Sequence, residues 1–334
     1  MGLLTVTGAI HMNEFWPQGQ SDGDTCGVFL KLTQNPFKFK ASAGAAAKTT
    51  HVFDTAKVKG KAVITATTGR LKVRFQAIDA PELHYTLSNL PAGLTTAQKA
   101  AIKAINREFR QFFGETAADK LRALLAQTGK QVIPCTVTTA VDSPGEVFDM
   151  FGRFIGDIHV KIGGKGINLN QWMVEQGWAF PTFYSSMSAT EINTFLTATQ
   201  KGAQQINRIW KHLQKSIGVL NQTLIFRGTG VTPNPAQDIG PVLMPKLFRR
   251  LVDWTVLNKA GVSADSFHTF LGKKKDDCFL TKDFLLQGAT AAPIHFLAEF
   301  VQPNGKITIK PQDLVFREKP STLVDANGKI ITSF

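Results

Sequence analysis

The sequence predicts a mixed α+β protein in two parts: a β-rich first part carrying packed helices, and a small C-terminal α+β part. Three observations carry that expectation. Strand-type alternation and helix-type periodicity both occur before residue 215, most clearly at 71–77, where Leu71, Val73, Phe75 and Ala77 share one face and Lys72, Arg74 and Gln76 the other. A Pro/Gly-rich stretch at 228–240 then interrupts the pattern as a linker does. The length, 334 residues, exceeds the size at which one core ordinarily stops growing. The expected organisation is a first domain at 1–215, a linker at 216–240 and a second domain at 241–334.

The elements follow in order. Residues 38–62, rich in Ala and Lys, predict an extended hairpin or loop ahead of the 71–77 strand. A helix is expected at 95–112. A second follows at 115–127, with Ala117, Leu121, Leu124 and Leu125 on one face and Gly129 as its stop. Strands are expected at 131–138 and 154–160, then a short helix at 168–176 ending at Gly177. Ser188-Ala189-Thr190-Glu191 has the form of a capping box, in which the first side chain and the fourth satisfy each other's backbone N–H groups. It opens a long helix whose expected face is Ile192, Leu196, Ala203, Ile206 and Trp210. Beyond the linker, Leu247, Leu251, Trp254 and Leu257 predict a helix stopped by Gly261, and the turns at 303–306 and 325–329 predict small hairpins.

Charge is the strongest compositional signal. Lys and Arg number 38 against 25 Asp and Glu, a net +13, and both parts are basic, which favours a polyanionic partner, nucleic acid or an anionic membrane surface. The three cysteines, Cys26, Cys135 and Cys278, are too few and too scattered for a disulfide framework or a thiolate zinc site and read as reduced core thiols. The N-terminus has no basic, apolar leader, and Val6 breaks the myristoylation pattern. With no apolar run of membrane-spanning length, the expectation is a cytoplasmic chain without a membrane, secreted or periplasmic only if a native signal has been removed. No phosphate-cradling Gly-x4-Gly-Lys loop occurs, and the seven histidines show no zinc-ligand spacing. Of these, His84 reads as a solvated loop residue and His159 as a structural strand side chain.

What remains is a set of carboxylates and arginines at strand ends: Asp22-Gly23-Asp24-Thr25, Arg74 followed by Asp79-Ala80-Pro81-Glu82, and Asp149-Met150-Phe151-Gly152-Arg153. Singly, each is ordinary turn chemistry. Together and in this order they resemble the staphylococcal nuclease family, as does Asn170 through Met173, Val174, Gly177 and Ala179, with Ile209-Trp210 near the end of the last helix. The resemblance covers about 20–212 and implies a five-stranded OB-type barrel for the first domain, a scaffold also used for single-stranded nucleic acid.

The same resemblance implies chemistry. Hydrolysing a phosphodiester requires neutralising charge on the phosphoryl oxygens and activating a water. Asp24 and Asp79 would hold Ca²⁺ as hard oxygen ligands, leaving positions for water and substrate. Glu82 would orient or deprotonate the water, and Arg74 and Arg153 would clamp phosphoryl oxygens with their planar forks. Phe183, Tyr184 and Tyr85 lie where stacking on bases is expected. Cleavage would leave 3′-phosphates on DNA or RNA with little base specificity. Ala80, Met150 and Phe151 depart from the family's usual Thr, Lys and Tyr, and 84–113 is longer than the corresponding family loop. A non-catalytic nucleic-acid-binding OB-fold module is the alternative expectation, and a nuclease effector docked to a protein partner through the C-terminal domain a third.

Overall fold

The computed structural model describes residues 1–217, 235–318 and 321–334. The expected linker at 216–240 therefore lies mostly outside the described residues. The chain forms two compact units, neither continuous in sequence. The first is Met1–Ile78, Ala118–Met173 and Glu318–Phe334; the second is Asp79–Ala117 and Val174–Arg317.

The first unit is a closed five-stranded barrel of β1 (Gly2–His11), β2 (Thr25–Phe29), β3 (Arg70–Phe75), β4 (Val132–Val141) and β5 (Phe154–Ile162). Its order is β4-β5-β3-β2-β1, and β1 closes back on β4 along their whole length, from Gly2 opposite Val141 to His11 opposite Val132. Only β3 and β5 run parallel, with Ile155 opposite Arg74. Alternation decides which side chains line the interior: Leu71, Val73 and Phe75 of β3 are buried with Leu4, Val6, Val28, Val137 and Ile158, while Lys72 is exposed. The Ala/Lys-rich stretch contains short strands at Phe37–Lys40, Lys48–Thr49, Lys57–Val58 and Lys61–Ala62. Leu323–Val324 pairs with Lys57–Val58, and the Phe334 ring stacks on Phe39 at 3.8 Å.

The second unit carries a four-stranded sheet, in the order Phe183–Tyr184, Leu314–Phe316, Asp277–Leu280 and His295–Phe296. Its core gathers on the Pro245–Lys259 helix, whose Leu247, Phe248, Leu251, Val252 and Val256 are all fully buried. Leu87, Ile102 and Phe109, from the stretch longer than the family loop, belong to the same core.

Two helix expectations need correction. The first helix runs Thr96–Ile105, not to Phe112, capped by Thr95. It stops because the Asn106 side chain both accepts from Leu87 N and donates to Leu87 O, and Phe109 then bridges to Tyr85 as extended chain. The capping box at Ser188 is present, yet its helix ends at Ala203, and the buried face is Ile192, Phe195, Ala198, Thr199 and Gly202. Ile206 is 75 % exposed. Gly202 is required there: a Cβ would stand 2.0 Å from the Val174 carbonyl oxygen.

All three cysteines are free and buried, and burial pushes the Cys135 and Cys278 thiols up to about 12. Among the described residues no helix is long and apolar enough to cross a membrane.

Candidate functional site

In the barrel unit, the turn before β2 is built by its own carboxylates. Asp22 accepts from the Asp24 N–H, and Asp24 accepts from the Thr25 hydroxyl. Because Thr25 lies opposite Arg74 in the β2–β3 register, the Arg74 side chain reaches back over the turn. Its Nη1 lies 2.6 Å from Asp24 Oδ1 and donates to the Asp24 carbonyl at 3.1 Å, with both side chains only 12–13 % exposed.

Arg153 is held in the same manner. Asp149 Oδ1 accepts from the backbone N–H groups of Phe151 and Arg153, and Oδ2 accepts from Arg153 Nε at 2.6 Å. Gly152, at φ 77°, lets the turn close, and the guanidinium lies 5.5 Å from the Phe151 ring centroid.

The second unit holds the other carboxylates. Asp79 ends the short strand Ile78–Asp79 and is 0 % exposed. Glu82 is fixed through its backbone: its N–H donates to Gln111 Oε1, and its carbonyl accepts from Gln111 N at 2.8 Å. Gln111 is itself anchored on the Leu243 carbonyl. Both carboxylates converge on one guanidinium, that of Arg249 from the Pro245–Lys259 helix. Arg249 Nη1 bonds Asp79 Oδ1 at 3.2 Å, Nη2 bonds Asp79 Oδ2 at 2.9 Å, and Nη1 also bonds Glu82 Oε1. Burial works against the Arg249 charge, but the Asp79 and Glu82 carboxylates outweigh it and raise its pKa well above the ordinary value.

The same helix face continues the network. Arg250 forks onto Asp276 at 2.6 and 2.7 Å, and Lys246 lies 3.5 Å from the same carboxylate. Burial would raise the Asp276 pKa, but the Arg250 hydrogen bond and the Lys246 and Arg250 charges bring it down to about 2. Burial dominates at Asp253, whose pKa is raised although Tyr85 and Arg250 bond it. Tyr85 donates to Asp253 at 2.7 Å, and burial followed by the Asp253 charge raises its own pKa.

These positions correct the expected aromatics. Phe183 is 0 % exposed in the sheet, opposite Val315, which leaves no ring face for a base. The Tyr85 hydroxyl is spent on a helix carboxylate. Tyr184 remains half-buried, opposite Phe316. His84 is not a solvated loop residue: its Nδ1 lies 2.7 Å from Glu108 Oε1. His159 is structural as expected, bonded to Thr138 at 3.0 Å across the strands, with its pKa lowered by burial.

Sequence reasoning missed Arg249 and its neighbours. The signal was present: Lys246, Arg249, Arg250 and Asp253 recur at the spacing of one helix face, beside the apolar positions that alone were read.

Asp24 in the first unit and Asp79 in the second are each buried, hard carboxylate donors, and each by itself is of the donor type that Ca²⁺ takes. Among the described residues, no group of three or more His, Cys, Asp or Glu side chains gathers in metal-binding fashion. Within the second unit Asp79 and Glu82 offer anionic acceptors for a water proton or a cation, and within the first unit Arg74 and Arg153 offer guanidinium donors of the kind that phosphoryl oxygens take.

Residues 72–212 match the model of the family described as Staphylococcal nuclease homologue, a stretch that takes in most of β3 and all of β4 and β5. With the closed five-stranded barrel, this is a staphylococcal nuclease-type OB-fold. A comparison with curated proteins finds no match.

Proposed function

We propose that this chain, which carries a staphylococcal nuclease-type OB-fold, is a Ca²⁺-dependent phosphodiesterase that cleaves DNA and RNA with little base specificity and leaves 3′-phosphates. Domains of this family are nucleases or nucleic-acid-binding OB-folds, and the finer assignment rests on one observation. Asp79 and Glu82, both within the matched stretch, aim their carboxylates at a single position of positive charge, where Arg249 now stands. A buried acid and a partly buried one sharing one cationic partner are what a site needs to hold a cation and a water side by side.

In this reading Asp24 and Asp79 would hold Ca²⁺, which when bound polarises a phosphoryl oxygen and offsets developing negative charge. Glu82 accepts the proton of the attacking water or fixes its orientation. Its backbone, locked by Gln111, keeps the carboxylate in place. Arg74 and Arg153 bind the phosphoryl oxygens. Each now rests on a carboxylate acceptor, an arrangement that pre-orients a guanidinium whose geometry also suits a phosphate. The basic balance of the chain steers a polyanion to the site and makes binding salt-sensitive.

The test is cleavage of supercoiled plasmid and single-stranded RNA in Ca²⁺ or EDTA by wild type, Glu82→Ala and Arg153→Ala. Cleavage in Ca²⁺ that each substitution lowers by about 10²-fold or more is the expected result. Cleavage persisting in EDTA, or indifferent to both substitutions, overturns the assignment. Binding without cleavage under every condition assigns the chain to the non-catalytic OB-fold class instead.

A further inference from the structure

We infer that Arg249 is a built-in occupant of the cation position, so that its guanidinium and a divalent cation take turns on the Asp79 carboxylate, with the guanidinium also covering the Glu82 oxygen that would face the water. The inference rests on the nuclease reading for what those two acids do. It adds that the chain carries, on the Pro245–Lys259 helix, the group that keeps them capped.

The geometry is that of a competitor. Both oxygens of Asp79 receive guanidinium N–H groups, at 3.2 and 2.9 Å, and Glu82 Oε1 receives a third bond from the same side chain. A Ca²⁺ ion takes carboxylate oxygens at roughly 2.3–2.6 Å through the same lone pairs. Two positive groups cannot share that space without repulsion. The capping also has a reason to persist. Asp79 is fully buried, and a buried carboxylate without a counter-charge is costly, so some cation must always stand beside it.

What moves is the side chain, not the helix. Leu247, Phe248, Leu251 and Val252 seat the helix in the core, and the adjacent Arg250 forks onto Asp276. The Arg249 side chain, 24 % exposed and carried on a flexible stem, is the part able to swing away. Apparent cation affinity is then reduced by the factor to which the capped state is favoured, and a variant without the guanidinium recovers that factor.

The experiment measures Ca²⁺ binding by titration calorimetry, and Tb³⁺ binding by luminescence, on the full chain as wild type, Arg249→Gln, Arg249→Lys and Arg250→Gln. Arg249→Gln is expected to bind Ca²⁺ at least about tenfold more tightly, a gain of about 1.4 kcal/mol. Its melting temperature should fall in EDTA and recover with Ca²⁺. Arg249→Lys, which replaces the fork by a point charge, shifts affinity in the same direction by less, and serves if Arg249→Gln does not fold. Arg250→Gln lowers stability and leaves Ca²⁺ affinity unchanged. A folded Arg249 variant with unchanged or weaker Ca²⁺ binding overturns the inference. If wild type cleaves with Ca²⁺ and Glu82→Ala does not, while the Arg249 variants bind Ca²⁺ as wild type does, the inference fails alone. If no variant binds Ca²⁺ and cleavage persists in EDTA, both readings fall.

Discussion

Arg74 Nη1 approaches Asp24 Oδ1 at 2.6 Å while also reaching the Asp24 carbonyl, so one guanidinium end bonds the side chain and the main chain of the same turn. Both contacts leave the one nitrogen, Nη1, and so fix the guanidinium plane over the turn, a planar donor set that lysine cannot present to a phosphoryl group. Arg74→Lys should therefore lower kcat by about 10²–10³-fold and stability by roughly 1–3 kcal/mol, read from cleavage rates and urea midpoints. Equal kcat in the two proteins would show that Arg74 only braces the turn.

Asp149 organises its turn through two backbone acceptances at Oδ1 and the Arg153 pair at Oδ2. Asp149→Ala removes all three bonds at once. It should cost about 1–3 kcal/mol and reduce cleavage to near the level of Arg153→Ala, because the arginine loses its orientation. Comparing the kcat of the two variants and their double variant checks this: near-identical values are expected, and additive losses would separate their roles.

Asp276 ties the acid side of the stability curve to the Pro245–Lys259 helix. Its pKa is lowered from 3.8 to about 2 in the folded chain, so its contribution is fully present above 3.8 and disappears as pH falls through about 2. That contribution is on the order of 2 kcal/mol. Asp276→Asn should lower the melting temperature at neutral pH and flatten the fall between those two pH values. Asp253, raised by burial, has the opposite sign: its contribution is present at low pH and lost as pH rises through its folded pKa. An unchanged acid limb in Asp276→Asn would show that Arg250 finds another partner.

Gly202 tests the packing of the Ala189–Ala203 helix. A methyl group there meets the Val174 carbonyl at 2.0 Å, and backbone atoms do not yield as a flexible side chain does. Gly202→Ala should cost roughly 1–3 kcal/mol by urea denaturation despite alanine's better helix propensity. A stabilised variant would mean that the helix shifts without cost.

The barrel was largely legible because its strands alternate: Leu71, Val73 and Phe75 point inward as their spacing requires. The local geometry of the candidate site was legible where motifs are local, as at Asp22–Thr25 and Asp149–Arg153, whose side chains bond within their own turns. It was illegible where partners are distant in sequence. Nothing at Asp79 announces Arg249, 170 positions away, because the pair is made by a helix whose apolar stripe dominates its pattern. The helix at 95–112 was overdrawn for a similar reason: Asn106 leaves the helix to bond Leu87, a preference of its side chain that periodicity does not register. Phe183 misled because an aromatic beside a tyrosine looks the same whether it faces solvent or the core.

The chain crosses between its two units four times, and the barrel unit is not complete until Glu318–Phe334 has joined it. On the ribosome, the last barrel strand ends at Ile162, and the tail that pairs with Lys57–Val58 follows roughly 160 residues later, on the order of 8–30 s at ordinary elongation rates. During that interval the five strands exist without the pairing of Leu323–Val324 and the Phe334 stack on Phe39. Synthesis thus imposes a delay between making the five barrel strands, which close on one another, and adding the segment that pairs outside them with Lys57–Val58.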